Sequence, residues 1–190
     1  AHTISDLKGK SVAFGVKSSG LTILSRYVLE GLGLDQTKDF EAIFLDKAAD
    51  GPTMVLDGRA VALWGGGIGW PGFAKIAEAG GRFIAPSPDE ASRIRAKHSF
   101  LKSTTLPANS YPGQTEAVNS VGSWSFVLAR NDLPDATAYA LARAIHNGHG
   151  AFVERLAQAA ETTPQNTAAA SPKPELIHPG VQRYLKEIGL

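Results

Sequence analysis

Between residues 11 and 98 short apolar runs alternate with stretches of helical spacing, and this alternation constrains the fold more than any other feature of the chain. Ser11-Val12-Ala13-Phe14 predicts a buried strand. Residues 19–32 follow with Leu21, Leu24, Val28 and Leu32 at three- and four-residue spacing, which predicts an amphipathic helix. Gly31 and Gly33 mark its end. The same reading predicts strands over 40–45, 60–64 and 82–85 and helices over 48–56 and 71–79. Ser87-Pro88-Asp89-Glu90 has a capping residue, a proline at the first helical position and a glutamate at the third, so a helix starts there and runs to about His98. Strand–helix repeats in this order imply an α/β fold, with a mostly parallel sheet covered by helices on both faces. In such sheets ligands sit beyond the carboxyl ends of the strands, where loops meet helix starts.

Past His98 the alternation stops. Residues 99–115 lack a helical period and contain Tyr111-Pro112-Gly113-Gln114, a turn or hinge signal. A strand is expected over 123–129, a helix over 134–145 with Tyr139, Ala142 and Ile145 on one face, and a last helix over 179–188. Residues 162–175, poor in large apolar side chains and rich in Pro, Thr and Ala, read as a surface connection.

Composition narrows the function classes. The net charge is +1, so no strong field draws the chain to nucleic acid or to a lipid surface. With no cysteine there is neither a disulfide nor a thiolate metal site. No apolar run approaches the ~20 residues of a membrane helix, and residues 1–9 lack the apolar core of a signal peptide. His146 and His149 stand three apart with Gly148 between them and no third ligand indicated, so they read as helix-end residues. No nucleophile–base pattern and no G-x-S-x-G elbow occurs, which favours a binding protein over an enzyme and calls for no cofactor.

Two loops fall at the expected ligand-binding end of the sheet. Gly15-Val16-Lys17-Ser18-Ser19-Gly20-Leu21-Thr22 is close to the phosphate loop G-x-x-x-x-G-K-[ST], with Leu21 in place of the lysine that reaches the terminal phosphates. A less demanding reading keeps the anion and drops the nucleotide. Lys17 offers a charge, Ser18 and Ser19 hydroxyls, and Gly20 a free N–H at a helix start. The plain alternative is that Ser19 caps the helix. Gly67-Ile68-Gly69-Trp70-Pro71-Gly72 matches G-x-G-x-x-G, but after the third strand rather than the first, and Trp70 would crowd a pyrophosphate. Its glycines serve either a tight turn or close approach of a small ligand, with Trp70 as a wall.

Several stretches together carry a resemblance. Asp6-Leu7-Lys8-Gly9-Lys10-Ser11-Val12 resembles the opening of the second lobe of periplasmic solute-binding proteins. Thr104-Thr105-Leu106-Pro107-Ala108, Tyr111-Pro112-Gly113-Gln114, Val121-Gly122 and the ending His178-Pro179-Gly180-Val181-Gln182-Arg183-Tyr184-Leu185-Lys186-Glu187 resemble the TAXI family of TRAP-transporter solute receptors. The resemblance implies a type II periplasmic-binding-protein-like fold of two α/β lobes, a periplasmic location, and capture of a small carboxylate such as glutamate or a dicarboxylate for TRAP membrane permease subunits. In that family the loop matching residues 14–21 reads close to G-A-P-G-S-G-T; Ser19 and Gly20 match it, while Lys17, Ser18 and Leu21 depart from it.

The resemblance also implies that the chain starts where the second lobe starts, without a first-lobe segment. One lobe is then expected at residues 1–100, with a crossing segment and the returning part of the first lobe at 101–190. Self-association through that incomplete lobe and weakened solute affinity are further expectations. The candidate ligand-binding residues are Lys17, Ser18, Ser19 and Gly20 on the first loop, Gly67 and Trp70 on the second, and Tyr111 and Gln114 at the turn. A nucleotide- or dinucleotide-binding enzyme domain is the alternative, and a stand-alone interaction module a third class.

Overall fold

The computed structural model describes residues 1–190, and the chain divides into two compact units, Ala1–Ser123 and Trp124–Leu190. The expected lobe boundary near residue 100 differs from this partition, which keeps residues 101–123 with the first unit.

The first unit is built on a parallel three-stranded sheet of order β2-β1-β3, with β1 at Ser11–Val16, β2 at Glu41–Leu45 and β3 at Ala62–Leu63. Side chains alternate along β1 as far as Phe14, and an irregularity between Ala13 and Val16 then turns Val16 to the Ala13 face. Val12 and Phe14 face a core with Val28 and Leu29 of helix α1 (Gly20–Gly31) and Ile94 of helix α4 (Pro88–Lys97). Ala13 and Val16 face a second core with Ile43, Leu45, Leu63 and Met54 and Val55 of helix α2 (Asp50–Leu56). Helix α3 (Pro71–Glu78) follows β3. The sheet is therefore covered on both faces. This is a mixed α/β architecture with a parallel sheet, compatible with a periplasmic-binding-protein-like fold. Each large side chain in the main core contributes about 1.5–3 kcal/mol by leaving water. The α1–α4 contact is close because Gly31 carries no side chain: a Cβ there would lie 2.6 Å from the Ile94 Cα.

Local chemistry sets the helix starts as expected. Ser87 caps α4 through a complete capping box, accepting from the Glu90 N–H at 3.3 Å while the Glu90 carboxylate accepts from the Ser87 N–H at 2.8 Å. Ser19 caps α1, accepting from the Thr22 N–H at 3.3 Å.

Two expectations from the sequence are corrected. Residues 82–85 form no strand. Their apolar side chains pack instead of pairing: the Phe83 ring lies 5.3 Å from Phe73 and 5.1 Å from Tyr111, and Ile84 joins the main core. Residues 123–129 form no strand either, and Phe126, Val127 and Leu128 are 56%, 77% and 90% exposed. The strands of this region lie earlier: β4 (Lys102–Leu106) and β5 (Val118–Gly122) pair antiparallel, Lys102 opposite Gly122 and Leu106 opposite Val118. The surface connection expected over 162–175 carries a short helix, α7 (Pro164–Ala170): Thr163 caps it, accepting from the Asn166 N–H at 3.1 Å, and Pro164 fills its first turn.

The second unit pairs α5 (Asp135–Asn147) with α8 (Pro179–Glu187) around Ala142, Tyr184 and Leu185. Helix α6 (His149–Arg155) follows Gly148 directly. His178 caps α8: its Nδ1 accepts from the Gly180 N–H at 3.2 Å and its Nε2 donates to the Leu133 carbonyl at 3.1 Å. The family-like ending thus has a structural meaning. Pro179 supplies the first helical residue, Gly180 admits the Asp135 backbone, and Tyr184 stacks edge-on against Tyr139 at 5.8 Å. Arg183 lies 4.6 Å over the Tyr139 ring, and Glu187 accepts from the Tyr139 hydroxyl at 2.6 Å. No helix of the chain is long and apolar enough to cross a membrane.

Candidate functional site

Because β1 and β3 run parallel and adjacent, the loops that leave their carboxyl ends lie at the same end of the sheet. The strand bends at Gly15, just before the first loop, where its pairing with β2 is irregular; its φ of 92° lies in the left-handed region that favours glycine. The Thr22 hydroxyl has carbonyl acceptors on both sides, Phe14 at 2.9 Å and Val16 at 2.8 Å, and shares its one proton between them. It thereby ties the first turn of α1 back to the end of β1. Ser25 extends the tie: its hydroxyl donates to the Thr22 carbonyl at 2.8 Å and accepts from buried Gln36 at 2.6 Å. A buried polar chain satisfied in this way holds its loop rigidly.

With that anchor the roles within the loop separate. Ser19 Oγ accepts the Thr22 N–H and lies 3.2 Å from Thr22 Oγ1, so its hydroxyl is engaged in capping. Lys17 and Ser18 are exposed on the turn before the helix. The N–H groups of Gly20 and Leu21 are the first two of α1 and have no acceptor within the helix. An exposed ammonium, an exposed hydroxyl and two unpaired N–H groups at the positive end of a twelve-residue helix suit a carboxylate or another small oxyanion.

The second loop meets the first through Leu21. A Cβ on Gly66 would stand 2.6 Å from Leu21 Cδ2, so the leucine side chain rests on bare glycine backbone. Gly67 and Gly69 take φ of 88° and 81°. Trp70 covers two more glycines: a Cβ on Gly65 would lie 2.6 Å from its Cζ3, and one on Gly72 2.8 Å from its Cη2. Its ring meets Phe73 edge-on at 4.9 Å. The indole is a wall of the glycine-rich loop, placed over the backbone that a pyrophosphate would have to approach.

Tyr111 joins this wall from a distant part of the chain. It is 5% exposed; its hydroxyl accepts from the Trp70 N–H at 3.0 Å and donates to the Gly67 carbonyl at 3.4 Å. Gln114 holds the turn itself, its Oε1 accepting from the Ser110 N–H at 3.0 Å and its amide donating to the carbonyls of Pro107, at 3.0 Å, and Glu116. Both side chains were expected to face a solute. The Tyr111 hydroxyl instead ties the turn to the glycine-rich loop, and the Gln114 amide is engaged within the turn. The structure thus brings Gly20, Leu21, Gly66, Gly67, Trp70 and Tyr111 into one connected set, while Gln114 holds the turn that carries Tyr111. Thr22, Ser25 and Gln36 were missed as loop anchors, although Thr22 had a signal in the threonine position of the phosphate-loop pattern.

The two histidines of residues 146–149 face other partners. His146 Nε2 lies 3.2 Å from Thr167 Oγ1, and His149 Nε2 donates to the Ala160 carbonyl at 3.1 Å. Burial, and then the charge of His149, lower the His146 pKa from its ordinary value. A hollow of about 270 Å³ lined by Arg26, Glu30, Leu34, Asp35, Gln36 and Thr37 includes no residue of either loop and sets two acids against one base, a poor balance for an anion.

The NMT1-like family model matches residues 1–189 of the chain. Together with the parallel sheet and the paired loops at its carboxyl edge, that match over nearly the whole length shows that the chain belongs to the NMT1-like family, a periplasmic-binding-protein-like family whose general role is solute binding.

Proposed function

We propose that this protein captures a small carboxylate in the periplasm and delivers it to the membrane subunits of a TRAP-type transporter, performing no chemistry on it. Glutamate and simple dicarboxylates are the first compounds to try, on the TAXI-like motifs in the sequence. The observation that supports this reading best is the first loop: exposed Lys17 and Ser18 beside the unpaired N–H groups of Gly20 and Leu21, at the edge of the sheet where a second loop closes in. A charge-assisted hydrogen bond contributes about 1.5–3 kcal/mol, so two of them give an affinity on the order of millimolar from this unit alone.

The nucleotide reading has less support. Leu21 stands where a phosphate-binding lysine is needed, and the Trp70 ring lies over Gly65 and Gly72. Calorimetric titration with glutamate, succinate, ATP and NAD separates the two. Heat from either acid, with none from the nucleotides, supports solute capture; tighter binding of ATP or NAD overturns it.

A further inference from the structure

We infer that helix α7 is a pH-sensitive latch on the second unit: neutral His146 holds it against α5, and protonation of His146 releases it. The device lies wholly within Trp124–Leu190 and does not depend on the solute-capture reading. Helix α7 has seven residues and no large apolar side chain, and it packs against the core of Ala142, Tyr184 and Leu185 through Ala168. A helix this short is not stable by itself, so it persists only while it is docked. The His146 ring ties it to α5, with Nε2 3.2 Å from Thr167 Oγ1. The Thr167 hydroxyl donates to the Thr163 carbonyl at 3.0 Å, which leaves its oxygen to accept from an Nε2–H. The neutral ring then carries its proton on Nε2, and Nδ1 is a bare nitrogen, buried and without a hydrogen-bond partner. Protonating the docked ring would put a cationic N–H at Nδ1 with no acceptor. That costs far more than an unused lone pair.

The elements around the ring do not offset this cost. Helix α8 presents Tyr184, whose ring lies 5.3 Å away and is inclined by 33°, while its Arg183 and Glu187 are turned to Tyr139. Helix α7 has no titratable residue, and Arg143, one turn earlier on α5, is exposed and cationic. From α6, His149 adds a charge of the same sign. Burial, and then His149, accordingly lower the His146 pKa from the ordinary 6.5. As pH falls through that value, the undocked ring takes up a proton that the docked ring refuses. The equilibrium for undocking α7 therefore rises by up to about tenfold per unit of pH, until the docked ring is protonated as well.

Nuclear magnetic resonance on the full chain, at about pH 7.5 and about pH 5, tests the latch. Amide protection of residues 167–170, corrected for the intrinsic effect of pH on exchange, should fall at least about fivefold between the two conditions. The ring contact between His146 and Thr167 should fade with it, while the contact between the Tyr139 and Tyr184 rings persists. His146→Leu, which has no proton to take up, should protect α7 equally at both pH values. His149→Gln should keep the response, and it decides the matter with the unaltered protein if His146→Leu does not fold. Unchanged protection of α7 in the unaltered protein overturns the inference. So does loss of the Tyr139–Tyr184 contact together with α7, a response that survives in folded His146→Leu, or one that disappears in His149→Gln.

Discussion

Replacing Gly180 by alanine would place a methyl carbon 2.1 Å from the Asp135 carbonyl oxygen and 2.9 Å from its carbonyl carbon. Carbon–oxygen contacts settle at about 3.3 Å or more, so roughly 1 Å of separation has to open at this point. The obstacle is backbone, which cannot rotate away as a long side chain can. The start of α8 must therefore move off the start of α5. That movement strains the His178 cap, with its 3.2 Å bond from the Gly180 N–H and its 3.1 Å bond to Leu133, and loosens Tyr184 and Leu185 against Ala142. Overpacking costs about 1–3 kcal/mol and a lost cap about 1 kcal/mol, while alanine returns up to about 1 kcal/mol of helix propensity. The net expectation is a loss of about 2–3 kcal/mol, or about 10 °C or more in the melting temperature of a unit this small. Circular dichroism during urea and thermal unfolding reads it. Gly150→Ala is the matched control: it lies within α6, its Cβ would meet nothing within 4 Å, and it should gain up to about 1 kcal/mol. A Gly180→Ala protein that melts with the unaltered chain would refute the close approach of α8 to Asp135.

Three further outcomes follow from the hydrogen bonding. The Ser19→Ala protein should lose about 1 kcal/mol in urea unfolding, because the Thr22 N–H loses its acceptor; an unchanged midpoint would remove Ser19 from the cap. The Tyr111→Phe protein should lose about 1–2 kcal/mol, and its amide exchange should accelerate most near Trp70; acceleration elsewhere would show that Tyr111 does not pin the glycine-rich loop. His146, its pKa lowered chiefly by burial, takes up a proton in the unfolded chain before it does in the folded one. Stability should therefore fall as pH drops through and below the ordinary 6.5, and level off once folded His146 is also protonated; His146→Leu should flatten that part of the profile, and an unaltered slope would count against it.

Local signals in the sequence carried much of the first unit. The spacing of Leu24 and Val28, the Ser19 cap and the Ser87–Glu90 box each act within a turn of the chain, and the structure shows the corresponding helices. The apolar runs at 82–85 and 123–129 misled, because apolar character alone does not distinguish a side chain that packs, as Phe83 does, or stands exposed, as Leu128 does, from one in a ladder. The β4–β5 pair was hidden for the opposite reason. Lys102-Ser103-Thr104-Thr105 is polar and exposed, and the loop to its partner is long, with no two-residue turn to announce it. At the candidate site the positions of the loops were legible, since strand ends and helix starts were. The division of labour was not: whether Tyr111 faces a solute or holds Gly67 and Trp70 depends on residues about forty positions away in sequence.

The central claim is that a carboxylate is held between residues 17–21 and residues 66–70. Amide chemical-shift mapping on the ¹⁵N-labelled chain, titrated separately with glutamate and succinate, tests it most directly. The account predicts that at least one acid produces saturable shifts led by the N–H signals of Gly20 and Leu21, followed by those of Gly66, Gly67 and Trp70, and that Lys17→Ala weakens them severalfold. Saturable shifts centred elsewhere, or no shift from either acid at Gly20 and Leu21, would contradict it.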